Sequence, residues 1–279
     1  MKKLLALLLA ALMLISFAAC AEKDDGGKNL DDYVQADEDE ITVETNELGQ
    51  TFHFEALDSE SVVLTKYEGP SDPHAVVVPN TLNDKTVAAI GNEAFYFCSA
   101  IQSVTLPETI AAIGDMAFAG CSLLQEIEFP AAVTEIGESA FARCTSLVSV
   151  TFAEASELRQ IARFAFEGCT ALESVTVPAY IDTIGTCAFF GCVALESVTV
   201  EADGENGAQV IGAQAFHGCE KLASLTLPAT VASIGELAFY GCNALYMDGV
   251  TCPAGSYAET YILGLNLAAT APAEPAPEA

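Results

Sequence analysis

Basic residues are scarce in this chain: 10 Lys and Arg stand against 39 Asp and Glu, a formal charge of −29. That balance excludes a nucleic-acid partner, whose phosphates must be neutralised by Lys and Arg, and it disfavours direct docking on anionic membranes. Long apolar runs are missing after the first fifteen residues, so no later segment reaches the roughly 18 to 20 residues that span a bilayer. There is no GxSxG elbow, no phosphate-cradling glycine loop and no HExxH pair, which removes the usual signatures of acyl, phosphoryl and zinc chemistry. No cysteines are spaced as CxxC, and His53, His74 and His217 lie far apart, so neither a structural metal nor a cofactor is expected. The pair Glu126 and Glu128 projects from one strand face without apolar cover to separate the two pKa values, so it does not divide into acid and base. The chain reads as a non-enzyme.

What is present begins with an export signal. Lys2 and Lys3 form a basic head, Leu4 to Ile15 is unbroken apolar sequence, and Phe17-Ala18-Ala19-Cys20 places small residues before a cysteine. Residues 1–19 are therefore read as a signal peptide. Phe17-Ala18-Ala19-Cys20, with small residues at the two positions before the cysteine, resembles the bacterial lipobox, which implies that Cys20 is lipidated and becomes the first mature residue. Phe17 departs from the usual leucine, and a simply cleaved signal that leaves a freely secreted protein is the other reading. Loss of Lys2 and Lys3 leaves 8 basic against 39 acidic residues, a mature charge of −31. Nine acidic residues between Ala21 and Glu40 make residues 20–40 a self-repelling tether that spans roughly 25 Å, and residues 268–279, rich in Ala, Pro and Glu, read as a disordered tail.

Between these ends the sequence repeats. Ile-Gly recurs at Ile90, Ile113, Ile136, Ile184, Ile211 and Ile234, with Ile161-Ala162 as the variant; the spacings are 23, 23, 25, 23, 27 and 23 residues. Ala-Phe follows four residues after each Ile, giving Phe95, Phe118, Phe141, Phe166, Phe189, Phe216 and Phe239. A cysteine lies three residues after each Phe, at positions 98, 121, 144, 169, 192, 219 and 242, and Leu and Val positions follow at steps of three. A unit of 23 residues cannot bury its own apolar face, so neighbouring coils must stack and share one core. Segments such as Ser149-Val150-Thr151-Phe152 alternate as half-buried strands do, and Pro107, Pro130, Pro178 and Pro228 terminate them. Stacked roughly 4.8 Å apart, six or seven such strands predict one parallel sheet roughly 30 Å long. Segments of the Glu-Ser-Ala-Phe type are expected to form a single helical turn.

The pattern IGxxAFxxCxxLxxVxLP, over Ile90 to Leu245, resembles the BspA-like leucine-rich repeats of bacterial surface proteins. Ser61 to Val87, with Lys66-Tyr67-Glu68-Gly69 and Val76-Val77-Val78-Pro79, is similar to the family's degenerate first coil. Cys252 to Tyr261 is similar to its terminal cap. The resemblance implies an α/β-type or mainly β leucine-rich repeat solenoid: residues 41–89 as N-terminal coil, 90–245 as seven repeats and 246–267 as C-terminal cap. It also implies extracellular adhesion to host proteins or other cells. It carries over no binding motif, because the repeated residues are those of the core.

The remaining residues supply candidates. The seven laddered cysteines read as a buried column of small apolar side chains, with bridges between adjacent coils as the alternative. Cys187, aligned with Met116, Ser139 and Phe164, reads as a partly buried filler. Asp203-Gly204-Glu205-Asn206-Gly207, which lacks calcium-loop spacing, is an outside turn holding the longest insertion. His217, aligned with Ala119, Glu167 and Tyr240, is expected at an exposed variable position. The outward hydroxyls Ser149, Thr151, Ser174, Thr176, Ser197 and Thr199 are the candidate binding face, and Tyr96, Phe190 and Tyr240 the candidate exposed anchors. These point to a surface lipoprotein that binds an extracellular protein or glycan and touches the membrane only through its anchor. A structural, self-associating envelope component is the alternative.

Overall fold

The computed structural model describes residues 42–154, 156–265 and 267. The signal sequence, Cys20, the acidic tether and the tail lie outside the described residues. The chain opens with three antiparallel strands, β1 (Thr42–Thr45), β2 (Thr51–Ala56) and β3 (Ser61–Glu68), and β3 then pairs in parallel with Lys85–Ile90. From there the chain winds as a β-solenoid. Each regular coil has a strand with alternating burial, such as Glu126–Phe129, then a turn closed by Val133 N–H on Pro130 C=O. A two-residue strand such as Glu135–Ile136 and the Ala-Phe segment complete it.

The recurring residues form interior columns. All seven laddered Phe residues are buried, and successive rings from Phe95 to Phe239 stack 4.7 to 5.5 Å apart, no two neighbours tilted by more than 13°. A repeat fixed in sequence thus becomes a continuous aromatic stack, each contact adding about 0.5–1.5 kcal/mol beyond area burial. Phe95 is not the end of the column, because Tyr67 stacks on it at 5.0 Å and Phe52 packs on Tyr67. At the other end, helix α1 (Tyr257–Gly264) buries Ala258 and Ile262 and sets Tyr261 edge-on to Phe239. Ser256 caps that helix by accepting the Glu259 N–H, while the Glu259 carboxylate accepts the Gly255 N–H.

Two expectations are corrected. The Ala-Phe segment is not a helical turn. Glu93, Met116, Ser139, Phe164, Cys187, Gln214 and Leu237, two residues before each Phe, all have φ between 51° and 58°. Left-handed residues break the helical sequence of dihedrals, so the segment folds as consecutive tight turns. Ala94 N–H bonds Gly91 C=O and Tyr96 N–H bonds Glu93 C=O within the coil, while the N–H groups of Glu93, Phe95 and Phe97 reach Asp115, Ala117 and Ala119 of the next. Every second amide therefore ties one coil to its neighbour.

Nor do the strands form one sheet. His74–Val77, Ile101–Thr105, Glu126–Phe129 and Ser149–Phe152 form one four-stranded parallel sheet; Ser174–Val177, Ser197–Val200, Ser224–Thr226 and Val250–Thr251 form another. The row of short strands breaks at the same step, between Glu135–Ile136 and Gln160–Ile161. The cause is visible at the glycine of Ile-Gly. A Cβ on Gly137 would lie 2.5 Å from Asp115 N, and one on Gly212 would lie 2.5 Å from Thr186 N, so regular stacking requires glycine there. Coil four carries Ala162 instead, and two extra residues precede it. Gly137, Gly185 and Gly212 each donate their N–H to the Ile carbonyl one coil back at 2.7 to 2.8 Å, whereas the matching bond from Ala162 to Ile136 is absent among the described residues. On the Phe side the same step stays closed, with Phe141 N–H on Ala165 C=O at 2.8 Å. The stack is seamed, not severed.

Candidate functional site

The seam opens on the face selected from sequence. Ser149 and Thr151 point outward from the last strand of the first sheet, Ser174 and Thr176 from the first strand of the second, and all four are exposed. Among the described residues each of those strands has a ladder partner on one side only. Ser197 and Thr199 lie inside the second sheet, register-paired with Ser174 and Thr176 on one flank and Ser224 and Thr226 on the other, and are only half-buried to solvent. The expectation of a uniformly exposed ladder is corrected there, because short side chains flanked on both sides are shielded.

A shallow groove follows the seam. Its walls are Ser149, Thr151, Ser174 and Thr176, joined near the strand ends by Phe152, Tyr180, Glu154 and Glu201. Phe152, half-buried, stacks on Phe129 at 5.3 Å. The Tyr180 hydroxyl donates to the Ala153 carbonyl at 2.8 Å and so bridges the seam. Burial, together with the nearby Glu201 carboxylate, raises the Tyr180 pKa above its ordinary value and keeps the phenol protonated. Ser156, in the lengthened loop, is buried; it donates to Val133 C=O and accepts the Leu158 N–H, which pins that loop across the step. The positions that hold Pro107, Pro130, Pro178 and Pro228 elsewhere hold Ala153 and Glu201 here. Both departures from the repeat line the groove, and both precede the two insertions.

The aromatic anchors divide. Tyr96 lies near the first coils, edge-on to Phe97 at 4.6 Å, far along the stack from the others. Tyr240 is 63% exposed. Phe190 is half-buried because its ring stacks at 4.8 Å on His217, which in turn meets Tyr240 at 5.2 Å. The expected exposed positions of Phe190 and His217 are both corrected by that contact: rings in one column of a 5 Å stack cover each other's faces. Phe97, 58% exposed, is an aromatic that periodicity overlooked. Its signal was a departure from the glycine found at Gly120, Gly168, Gly191, Gly218 and Gly241.

The nine cysteines of the described residues are free thiols. Their column does more than fill space. Cys121 Sγ donates to Phe95 C=O at 3.2 Å, and Cys144, Cys169, Cys192, Cys219 and Cys242 repeat the contact at 3.2 to 3.3 Å, each on the Phe carbonyl of the preceding coil. Burial pushes the Cys144, Cys192 and Cys242 thiols up to about 12, so they stay protonated and unreactive. Cys187 is fully buried, not the partial filler expected, and its thiol donates to Gln214 Oε1 at 3.4 Å. Asp203 to Asn206 forms the tip of a two-stranded hairpin, Ala202–Asp203 with Asn206–Gly207, that carries the insertion outward. No group of three or more His, Cys, Asp or Glu among the described residues is placed to hold a metal ion, and no helix among them is long and apolar enough to cross a membrane.

A family model described as a BspA type leucine rich repeat region matches residues 88–206 and 205–249 in six copies. The chain belongs to that family. A crystal structure of the leucine-rich repeat protein of T. pallidum is similar at 27% identity and a TM-score of 0.60, over 82% of this chain and 97% of that one. A leucine-rich repeat protein from Eubacterium ventriosum shares the fold at 24% identity and a TM-score of 0.60, over 71% of this chain and 49% of its own. No curated protein matches the chain. The family and its fold are leucine-rich repeat scaffolds, consistent with a protein-binding role, and the seam is where this chain departs from its own repeat.

Proposed function

We propose that this BspA-type repeat protein is a non-enzymatic binding module displayed outside the cell, anchored by a lipid on Cys20, that adheres to extracellular proteins through the outer face of its solenoid. The observation that carries the reading is the groove at the seam. The columns inside the stack are held to a strict repeat, while Ala153 and Glu201 depart from it in one hydroxyl-lined groove. A position free of packing constraint that departs from its column in concert with its neighbours supports recognition over packing. The lipid anchor follows from the export sequence: acyl chains contribute about 0.8 kcal/mol per buried methylene, enough with two or more to hold a strongly acidic body on a membrane.

The test is a pull-down with residues 21–279 from extracellular and host-surface extracts, followed by quantitative mass spectrometry, alongside metabolic palmitate labelling of the native chain and of Cys20→Ser. Saturable capture of an extracellular protein, and label lost with Cys20, is the expected result; no capture and no label would overturn both parts. A structural, self-associating role has one observation in its favour: among the described residues β1 pairs on one side only, and it carries Val43 exposed. Light scattering that gives a strict monomer at high concentration removes it.

A further inference from the structure

We infer that the seam groove takes an extended, basic peptide segment of its protein partner, seating a Lys or Arg head between Glu154 and Glu201; this rests on the binding-module reading above. The charge argument comes first. Among the described residues the ion pairs are His53–Glu68 and Lys66–Glu68, both at the N-terminal end, so neither Glu154 nor Glu201 makes one; the guanidinium of Arg159 beside the groove donates instead to the Tyr180 carbonyl at 3.0 Å. Both are exposed and both line the groove. With two carboxylates beside it, a cationic side chain gains attraction that an anionic or neutral ligand does not.

The shape of the groove narrows the class further. Phe152 and Tyr180 present half-buried aromatic surface in the same groove as the carboxylates and the hydroxyls. That is the surrounding a long basic side chain uses, its alkyl stem on an aromatic ring and its head on a carboxylate. Beyond the aromatics run Ser149, Thr151, Ser174 and Thr176 on two strands that face each other across the break. Of the hydrogen bonds that would join these strands, a single long one from Glu173 N–H to Val148 C=O, 3.3 Å, remains at the start. Strand backbone and hydroxyls along the seam therefore offer donors and acceptors in a line, which fits an extended chain better than a compact sugar. A neutral glycan donates hydroxyl hydrogen bonds to carboxylates but brings no positive charge to offset the two of them.

The experiment titrates the isotope-labelled protein, residues 21–279, with an alternating Ala-Lys octapeptide, the matching Ala-Glu octapeptide and chitotetraose at physiological salt. Saturable shifts of the Ser149–Glu154 and Ser174–Tyr180 amides with the Lys peptide alone are expected. Glu154→Gln with Glu201→Gln should weaken that binding at least tenfold. The control Glu126→Gln with Glu128→Gln removes the same charge from the same face one strand away, and should change it less than twofold. Equal weakening by both pairs would reduce the effect to diffuse charge and overturn the inference, as would shifts with chitotetraose or none with the Lys peptide. If the protein still captures an extracellular partner while the Glu154 and Glu201 variant captures it equally well, the groove assignment falls and the binding-module reading stands.

Discussion

Between Ile184 and Gly212 the stack closes a regular step, and between Ile136 and Ala162 it does not, although both steps carry an insertion. The 27-residue step holds four extra residues and loses nothing: its hairpin lies outside, Gly212 keeps its bond to Ile184 at 2.7 Å, and both strand rows run on. The 25-residue step has only two extra residues, yet both rows break. At the contact itself the two steps differ by one methyl group, Ala162 against Gly212. A side chain at the glycine position meets the backbone of the coil before it, so length is tolerated on the outside while volume is not tolerated at the contact.

The comparison can be broken or sharpened by substitution. The largest effect is expected from Phe166→Ala, which empties a rung flanked by Phe141 at 5.5 Å and Phe189 at 5.3 Å; a loss of about 3–5 kcal/mol in denaturant melts is expected. Phe239→Ala, at a rung with a stacked ring on one side only, should lose less. Next comes Gly212→Ala, which imposes on a regular step the methyl that the seam already accommodates, and should cost about 1–3 kcal/mol. The reverse change, Ala162→Gly, should move stability by less than about 1 kcal/mol, because any bond regained to Ile136 is offset by the entropy of glycine. If Gly212→Ala proves as harmless as Ala162→Gly, the methyl is not what opens the seam.

The smallest effect concerns charge beside the seam. Burial raises the Glu167 pKa above its ordinary 4.5, and Arg143 opposes only part of the shift. A carboxyl raised on folding favours the folded state when protonated; that contribution is complete below pH 4.5 and lost as pH rises through the folded value. Glu167→Gln is neutral at every pH. It should therefore melt slightly higher than the parent at pH 7, and the advantage should vanish below pH 4.5. A constant difference across that range would mean that packing, not charge, separates the two.

The columns were legible because periodicity reports directly on what every coil must bury: Ile, Ala, Phe, Cys and Leu recur in step, and all are interior but the half-buried Cys98 of the first coil. Three features were not legible in that way. The left-handed turns escaped because residues as different as Glu93, Phe164 and Leu237 occupy them, so composition carried no hint of a shared backbone. The seam escaped because Ala for Gly at position 162 reads as a mild variant until the preceding backbone is known to lie within 3 Å of where a Cβ would be. The groove escaped because a face was chosen by repetition, whereas Glu154, Tyr180 and Glu201 are there by departure from it. In a repeat protein the conserved columns reveal the fold, and the breaks in them mark where to look for function.

Residue-resolved amide hydrogen exchange tests the seam most directly, by comparing Ala162 with Gly137 and Gly212 in the native protein. The Gly137 and Gly212 amides, bonded to Ile113 and Ile184, should exchange slowly, near the global unfolding limit, and Ala162 should exchange at least a hundredfold faster. Equal protection at all three sites would mean that the coils stack without interruption and that no seam exists.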